Sequence, residues 1–422
     1  MEAMPAPIAR RRALMATLFA AQVAASTGFT MSLAVGSIMA AAITGTNTWS
    51  GLPVALGALG GALASWPLAR LMGRLGRRPG LTLGYALAVA GAGIGMLAVL
   101  HRSFPLFLLG MALFGIANAS NMLARYAAAD ISVGPQRGRA MGLIVWGSAI
   151  GSMIGPNLMD AAVGVGARVG VAPVASPFLI SLAGYSIAAV LTYGLLRPDP
   201  LAIARANEPA AMASTVAAPR RPVADVIREP RVALAFVTLM VGQLVMIGTT
   251  STSTLYLHDQ GHPVGTIGIA ASLHLAGMYV SSPLSGWLCD RFGRLPMIGV
   301  GGTILMLACA LAGLVPGHAG GLVIAGLFLN GIGWNLAFVS ASALLTDALS
   351  PDDRTSLQGL ADLCMGAMGF VGSALGGVVL GRWGFGMLNA VGAAVLILPL
   401  AASSMRRAAA AARATELNPW SP

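Results

Sequence analysis

A short basic signature occurs twice in this chain, and the distance between its copies is about half the length of the sequence. Residues 73–79 read GRLGRRP and residues 290–296 read DRFGRLP, each between two apolar stretches. The two copies begin 217 positions apart in a chain of 422 residues, and the same offset relates Asp130 to Asp347. A repeat of this length indicates one unit that was duplicated and fused, which is typical of membrane transporter folds.

The chain is too apolar for a protein that is soluble in water. Hydrophobic residues make up 56% of the sequence and charged residues 9%, which is too little charge to cover a soluble surface. A helix needs about 20 residues to cross a bilayer core of about 30 Å, and we therefore predict an all-α membrane protein with about twelve transmembrane helices, six in each half. The predicted spans are 13–42, 48–71, 81–100, 104–129, 140–165, 178–196, 232–257, 266–289, 297–315, 320–348, 355–380 and 387–405.

The arginines lie in alternate loops between the predicted helices. The net charge is +11, but the basic residues do not gather on one polar face, so we expect no nucleic-acid partner. The positive-inside rule places both termini and the polar segment 197–230 in the cytoplasm. The predicted parts are an N-terminal six-helix bundle (1–196), a cytoplasmic linker (197–230), a C-terminal six-helix bundle (231–406) and a cytoplasmic tail (407–422).

The repeated signature resembles the loop motif G-x-L-x-D-R-x-G-R-R of the major facilitator superfamily. The second copy follows this motif at Gly286, Leu288, Asp290, Arg291, Gly293 and Arg294. The first copy departs from it at Ala69 and Gly73, where the motif has glycine and aspartate. The resemblance covers the whole chain. It implies a fold of two pseudo-symmetric six-helix bundles that move a substrate by alternating access.

The residue types of the signature also suggest a latch at the cytosolic helix ends. A tight glycine turn presents arginines that can pair with acids on neighbouring helices. One exposed pair contributes about 0–1 kcal/mol, but several together can bias two states of similar free energy. The candidate latch residues are Arg74, Arg77, Asp130, Asp290, Arg291, Arg294 and Asp347. The alternative is that the arginines only fix the topology.

The fifth predicted span carries a second pattern of small residues. Gly142, Gly151, Gly155 and Pro156 resemble the glycine-proline motif of the antiporter branch of the superfamily, although that motif ends in two glycines where this chain has other residues. The resemblance implies export. Glycines permit close packing of helices and proline permits a kink, so Gly155 and Pro156 are candidate gating residues. The alternative is ordinary small-residue packing.

A histidine and two methionines form a candidate site on the seventh and eighth spans. His274 and Met278 are one helical turn apart, and both are possible ligands of a soft metal such as Cu(I). They resemble the His-x-x-x-Met motif of the copper-importing branch, whose Met-x-x-x-Met motif is half matched by Gly242 and Met246. His274 is a candidate metal ligand or proton carrier because ionisable groups in spans tend to be functional.

Other polar residues within the spans are candidates for coupling or substrate binding. A carboxylate at the depth of Asp362 could carry the coupling proton; the alternative is a structural pair with a nearby arginine. The candidate cavity residues are Gln243, Asn118, Asn335 and Trp334, since amide and aromatic groups suit an amphipathic organic substrate.

The sequence predicts a transporter and not an enzyme. It contains no catalytic constellation and no phosphate-binding loop of the G-x-x-x-x-G-K-[ST] type, so we expect no cofactor and no ATP-driven pump. We predict a monomeric, proton-coupled exporter of a small organic molecule in a bacterial inner membrane. The alternatives are an importer of a transition metal such as copper and a membrane sensor that transports nothing.

Overall fold

The computed structural model describes residues 8–46, 49, 52–132, 134–173, 175–207, 222–313 and 320–417. Within these ranges the secondary structure is helical and contains no β-strand. Ten helices are long and apolar enough to cross a membrane, or eleven if one bent pair forms a single span. The prediction of an all-α membrane protein is confirmed. Residues 208–221 of the predicted linker, residues 418–422 of the predicted tail and residues 1–7 lie outside the described residues.

The chain forms two compact units. Unit 1 comprises Met1–Arg220 and Leu349–Gly366, and unit 2 comprises Arg221–Ala348 and Ala367–Pro422. The segment Leu349–Gly366 therefore belongs to unit 1 although it comes from the second half of the sequence. The boundaries of the bundles and the linker drawn from the sequence stay a prediction.

Among the residues that the structure describes, unit 1 contains eight α-helices and the beginning of a ninth. They are α1 (Ile8–Thr44), α2 (Leu52–Leu75), α3 (Arg77–Leu100), α4 (Phe104–Ile131), α5 (Arg137–Asn157), α6 (Met159–Arg168), α7 (Pro177–Leu195) and α8 (Pro200–Ala206). Small residues let these helices approach closely. A Cβ atom on Gly115 of α4 would overlap the backbone of Gly57 and Gly61 in α2, so packing between apolar helices depends here on the missing side chain.

The fifth predicted span is two helices in the structure. α5 and α6 meet at an angle of 57°, and α5 ends at Asn157, one residue after Pro156. A proline ring removes a backbone donor and crowds the preceding turn, which accounts for a break at this position. Before the bend, Gly151 and Gly155 of α5 pack so closely on α1 that a Cβ atom on either residue would overlap the backbone of α1.

Unit 2 contains the remaining helices. They are α9 (Val223–Ile227), α10 (Pro230–Asp259), α11 (Val264–Tyr279), α12 (Ser282–Phe292), α13 (Arg294–Gly313), α14 (Gly320–Ala348) and α15 (Pro351–Leu417), whose first residues lie in unit 1. The eighth predicted span is broken between α11 and α12. A proline within the first two positions of α12 suits the start of a helix because its missing N–H needs no partner there.

The last two predicted spans lie in α15, which consists of two helical arms that meet at Gly384. Its apolar part, Asp353–Met405, has 53 residues, more than twice the length of about 20 that one crossing needs. Gly384 interrupts the helical geometry with φ of 82° and ψ of 173°. Taking α5 and α6 as one span and α15 as two, the described chain has the twelve spans that the sequence predicts.

Candidate functional site

Both copies of the signature form a tight turn between two helices. Gly76 separates α2 from α3 with φ of 105°, and Gly293 separates α12 from α13 with φ of 93°. Residues with a Cβ atom disfavour this region, so each turn requires glycine. Arg77 and Arg294 follow directly as the first residues of α3 and α13.

Arg77 lies in a buried ionic cluster of unit 1. Its Nε donates to Asp130 Oδ2 at 2.8 Å and its Nη2 donates to Gln358 Oε1 at 2.6 Å. Asp130 also accepts from Arg354 Nη1 at 3.3 Å. The side chains of Arg77 and Asp130 are both 0% exposed. We call Arg77, Asp130, Gln358 and Arg354 the Arg77 cluster; it joins α3 and α4 to the first turns of α15.

The second copy of the signature forms a more exposed set of pairs in unit 2. Arg294 Nε donates to Asp347 Oδ2 at 3.0 Å, and Arg294 Nη1 donates to Asp290 Oδ1 at 2.8 Å. The side chain of Asp347 is 31% exposed, whereas that of its repeat counterpart Asp130 is 0% exposed. Of the other candidate latch residues, Arg74 and Arg291 are exposed.

Asp199 is a residue of this region that the sequence analysis did not select. Its carboxylate accepts hydrogen bonds from the backbone N–H groups of Arg77 at 3.0 Å, Arg78 at 2.8 Å and Leu201 at 2.8 Å. The Asp-Pro pair at the start of α8 is a recognisable N-cap pattern. That pattern predicts the bond to Leu201, but no local signal predicts the bonds to the start of α3.

A second buried ion pair of unit 1 lies away from the signature turn. Arg125 Nη2 donates to Asp362 Oδ1 at 2.5 Å and to Tyr126 Oη at 2.9 Å, and Arg125 Nη1 donates to the carbonyl oxygen of Met122. The side chains of Arg125 and Asp362 are each 1% exposed. We call Arg125, Tyr126 and Asp362 the Asp362 triad. Asp362 is therefore paired with an arginine in the structure. This pairing is the alternative that the sequence analysis left open beside a carboxylate that carries the coupling proton.

The Asp362 triad has no counterpart in the repeat. At the offset of 217 residues, Ser342 corresponds to Arg125 and Val145 corresponds to Asp362. The duplicated fold therefore carries this ionic pair in one copy alone.

His274 belongs to a buried hydrogen-bonded cluster in unit 2. Its Nδ1 lies 3.0 Å from the carbonyl oxygen of Leu327 and its Nε2 lies 3.4 Å from Thr250 Oγ1. Asn330 Nδ2 donates to the neighbouring Thr249 Oγ1 at 2.8 Å. A carbonyl oxygen can only accept, so Nδ1 carries a proton and Nε2 faces the hydroxyl. Both ring nitrogens therefore have partners from the protein.

The two candidate methionine ligands are buried side chains of unit 2. Met246 is 2% exposed and Met278 is 7% exposed. No group of three histidine, cysteine, aspartate or glutamate residues that could hold a metal ion occurs among the residues that the structure describes.

The remaining candidate cavity residues are divided between the units. In unit 2, Trp334 Nε1 donates to Gln243 Oε1 at 3.0 Å, and the Trp334 ring stacks on Phe338 with centroids 4.7 Å apart. Asn335 is 0% exposed and donates to Ser282. In unit 1, Asn118 is half-buried. Gln243 and Asn118 are thus the more accessible of these amides.

Known proteins resemble this chain over nearly its full length. The transporter YdeG of Bacillus subtilis, described as an uncharacterized MFS-type transporter, is 31% identical over 92% of this chain and 90% of its own length. The riboflavin transporter RfnT of Brucella anthropi is 28% identical over 85% of this chain and 86% of its own. The multidrug resistance protein MdtL of Klebsiella pneumoniae is 38% identical over a shorter region, 23% of this chain and 24% of its own.

Solved structures agree with the fold. The human organic anion transporter MFSD10 superposes with a TM-score of 0.72 at 16% identity, covering 93% of this chain and 99% of its own. The sequence model of the Major Facilitator Superfamily matches residues 18–266 and 251–419. Family, fold and apolar helices together identify a multi-pass membrane protein that transports a small molecule, and the chain belongs to the Major Facilitator Superfamily.

Proposed function

We propose that this transporter exports small organic molecules in exchange for protons, by alternating access, in a bacterial inner membrane with both termini in the cytoplasm. The observation that carries the proposal is the Asp362 triad. A carboxylate and a guanidinium buried together are stable only while each compensates the charge of the other. Proton binding to Asp362 removes that compensation, while Arg125 keeps Tyr126 and the carbonyl of Met122. A proton can therefore change which of two conformations is favoured.

The direction of transport is inferred from α5 and from one relative. Gly151 and Gly155 bring α5 against α1, and the helix bends directly after Pro156. This arrangement fits the gating function that the glycine-proline pattern suggests. The regional similarity to a multidrug resistance protein supports export over import.

The residues of unit 2 support an organic substrate. Between Arg231 and Asp290 the described spans of unit 2 carry no Asp, Glu, Lys or Arg outside Asp259. The polar groups there include amides, hydroxyls and three histidines, of which only His274 is buried. The stacked rings of Trp334 and Phe338 in α14 belong to the same unit. Such a lining suits a substrate that combines an aromatic ring with hydrogen-bonding groups, and the similarity to a riboflavin transporter is consistent with that class.

Copper import is not favoured. The Nε2 atom of His274, the nitrogen left to bind a metal, faces the hydroxyl of Thr250. The Met-x-x-x-Met motif lacks its first methionine, because this position is Gly242. A membrane sensor without transport activity is likewise not favoured, because the relatives that cover most of the chain are transporters.

The test uses the purified protein in proteoliposomes with ethidium and riboflavin as probes. We expect an imposed pH gradient to drive probe movement by the wild-type protein. The double variant Arg125→Met with Asp362→Asn removes both charges and so leaves no uncompensated ion. It should exchange probe between the two sides of the membrane but lose the response to the gradient. Asp225→Asn, in an exposed pair with Arg228, is the matched control. Gradient-driven accumulation by the double variant would refute a coupling role for the triad.

A further inference from the structure

Asp199 caps two helices with one carboxylate. Its Oδ1 accepts from the N–H groups of Arg77 and Leu201, and its Oδ2 accepts from the N–H of Arg78. Arg77 and Arg78 begin α3, and Leu201 lies in the first turn of α8. The first N–H groups of a helix have no partner within the helix, and a carboxylate is a preferred acceptor for them. The chain segment that follows α7 is therefore tied to the signature turn.

The signature turn is shaped to receive this carboxylate. A Cβ atom on Gly76 would lie 2.7 Å from Cγ of Asp199, well inside van der Waals contact. Gly76 thus meets two requirements at once: a positive φ of 105° and room for the side chain of Asp199. Any other residue at this position would displace the cap as well as strain the turn.

Further contacts hold the same segment against the turn. Arg205 Nη2 donates to the carbonyl oxygen of Gly73 at 3.3 Å, and Arg78 Nε donates to that of Tyr193 at 2.9 Å. In α8, Leu201 is 1% exposed, so one face of the short helix is buried in unit 1. The segment from Tyr193 to Arg205 therefore folds over the turn on both sides of Asp199.

The bonds of Arg77 connect Asp199 with the buried cluster. The backbone N–H of Arg77 is held by Asp199, while its side chain reaches Asp130 and Gln358. In the second copy of the signature the acid is Asp290, which bonds directly to the side chain of its arginine. The first copy has Gly73 at that position. There the carboxylate of Asp199, which is distant in sequence, accepts hydrogen bonds from the backbone N–H groups of Arg77 and Arg78 instead.

We propose that Asp199 is a positioning residue for transport: it fixes the backbone at the start of α3 so that the guanidinium of Arg77 holds the Arg77 cluster closed. The beginning of the central segment then belongs to the gate of unit 1. The inference does not depend on the substrate or on the coupling ion. It predicts that loss of the carboxylate acts only through Arg77.

The test measures opening of the cluster by alkylation. Thr355 is 1% exposed and lies against Gly73, so a cysteine placed there by Thr355→Cys reports the opening of this region to N-ethylmaleimide in membrane vesicles. The same chain without Thr355→Cys gives the background from the native cysteines. We expect Asp199→Ala, which removes both acceptor oxygens, to raise the alkylation rate about tenfold, an effect within the range expected when the N-cap of α3 is lost. Asp199→Asn keeps an oxygen that can accept from Arg77 and should have a smaller effect. Asp199→Glu should recover part of the wild-type rate, and Asp225→Asn should not change it.

A double-mutant cycle separates positioning from a general structural role. In a chain that carries Arg77→Ala, Asp199→Ala should change the alkylation rate less than twofold, because the side chain through which it acts is gone. Size-exclusion chromatography of each variant checks that it is folded. A full tenfold effect of Asp199→Ala in the Arg77→Ala chain would overturn the proposal, and so would an unchanged rate when Asp199→Ala is made in the wild-type chain.

Discussion

The two aspartates that correspond in the repeat provide a matched comparison of buried and exposed pairing. Asp130 and Asp347 each accept from the Nε of the arginine that follows a signature glycine, at 2.8 and 3.0 Å. Their surroundings differ: the Asp130 side chain is 0% exposed and the Asp347 side chain is 31% exposed. Replacing each by asparagine keeps the shape of the side chain and removes the charge.

The expected losses of stability differ by several kcal/mol. Removing one partner of a buried ion pair costs about 3–5 kcal/mol because the other charge stays desolvated. Asp130→Asn leaves two arginines, Arg77 and Arg354, without the carboxylate that both contact. Asp347 is more exposed, and Arg294 keeps Asp290 as a partner when Asp347 is replaced, so the loss for Asp347→Asn should be about 0–1 kcal/mol. For a unit of about 200 residues, a difference of this size corresponds to roughly 5–15 °C in melting temperature.

The assay is thermal unfolding of the purified variants in detergent, followed by circular dichroism. We expect a clear fall in melting temperature for Asp130→Asn and a shift within about 3 °C for Asp347→Asn. Equal shifts for the two variants would show that burial does not decide the contribution of these pairs. A larger shift for Asp347→Asn would refute the reasoning altogether.

Three further outcomes follow from contacts in the two units. Asp290→Asn should slow ethidium efflux about fivefold without preventing folding, since Arg294 loses one carboxylate partner and keeps the other, a loss of about 1 kcal/mol; an unchanged rate would mean that the arginines of the second signature turn only fix the topology. Gly151→Leu should lower the yield of folded protein because its side chain would enter α1, whereas Gly164→Leu, at a position with no heavy atom within 4 Å, should not; equal yields would contradict the close packing. Cells that express the protein should accumulate no more copper than cells with an empty vector. If they do accumulate copper, and if His274→Ala and Met278→Ala each abolish that accumulation, the protein is a metal importer after all.

The sequence predicts the helices well because the bilayer imposes their length and polarity. The ends of α1 to α4 and of α7 lie within about five residues of the predicted spans, a precision that follows from the need of about 20 apolar residues per crossing. Breaks inside a span were harder to place. The bend after Pro156 has a local cause that the sequence shows, whereas the break between α11 and α12 falls inside the predicted span 266–289 and was not predicted. The break at Gly384 lies in the gap between the last two predicted spans.

The polar site was only partly predictable, because its bonds join distant segments. The repeat selected Arg77 and Asp130 as functional candidates, and its depth in a predicted span selected Asp362; all three are buried and hydrogen-bonded. Their partners Gln358 and Asp199 carry no pattern that links them to the signature. The side chain that accepts a hydrogen bond from a given backbone N–H group is set by the tertiary structure, and a single sequence does not reveal it.

The break at Gly384 has a consequence for the rotational register of the last span. The two arms of α15 are joined by one residue with φ of 82° and ψ of 173°, without the slack of a connecting loop. Inserting a single residue on either side would turn the following helix face by about 100°, moving every side chain of that arm to a new face. Scanning by one-residue insertions should therefore find this position among the least tolerant of the chain, although its own glycine has no heavy atom within 4 Å of where a Cβ would lie.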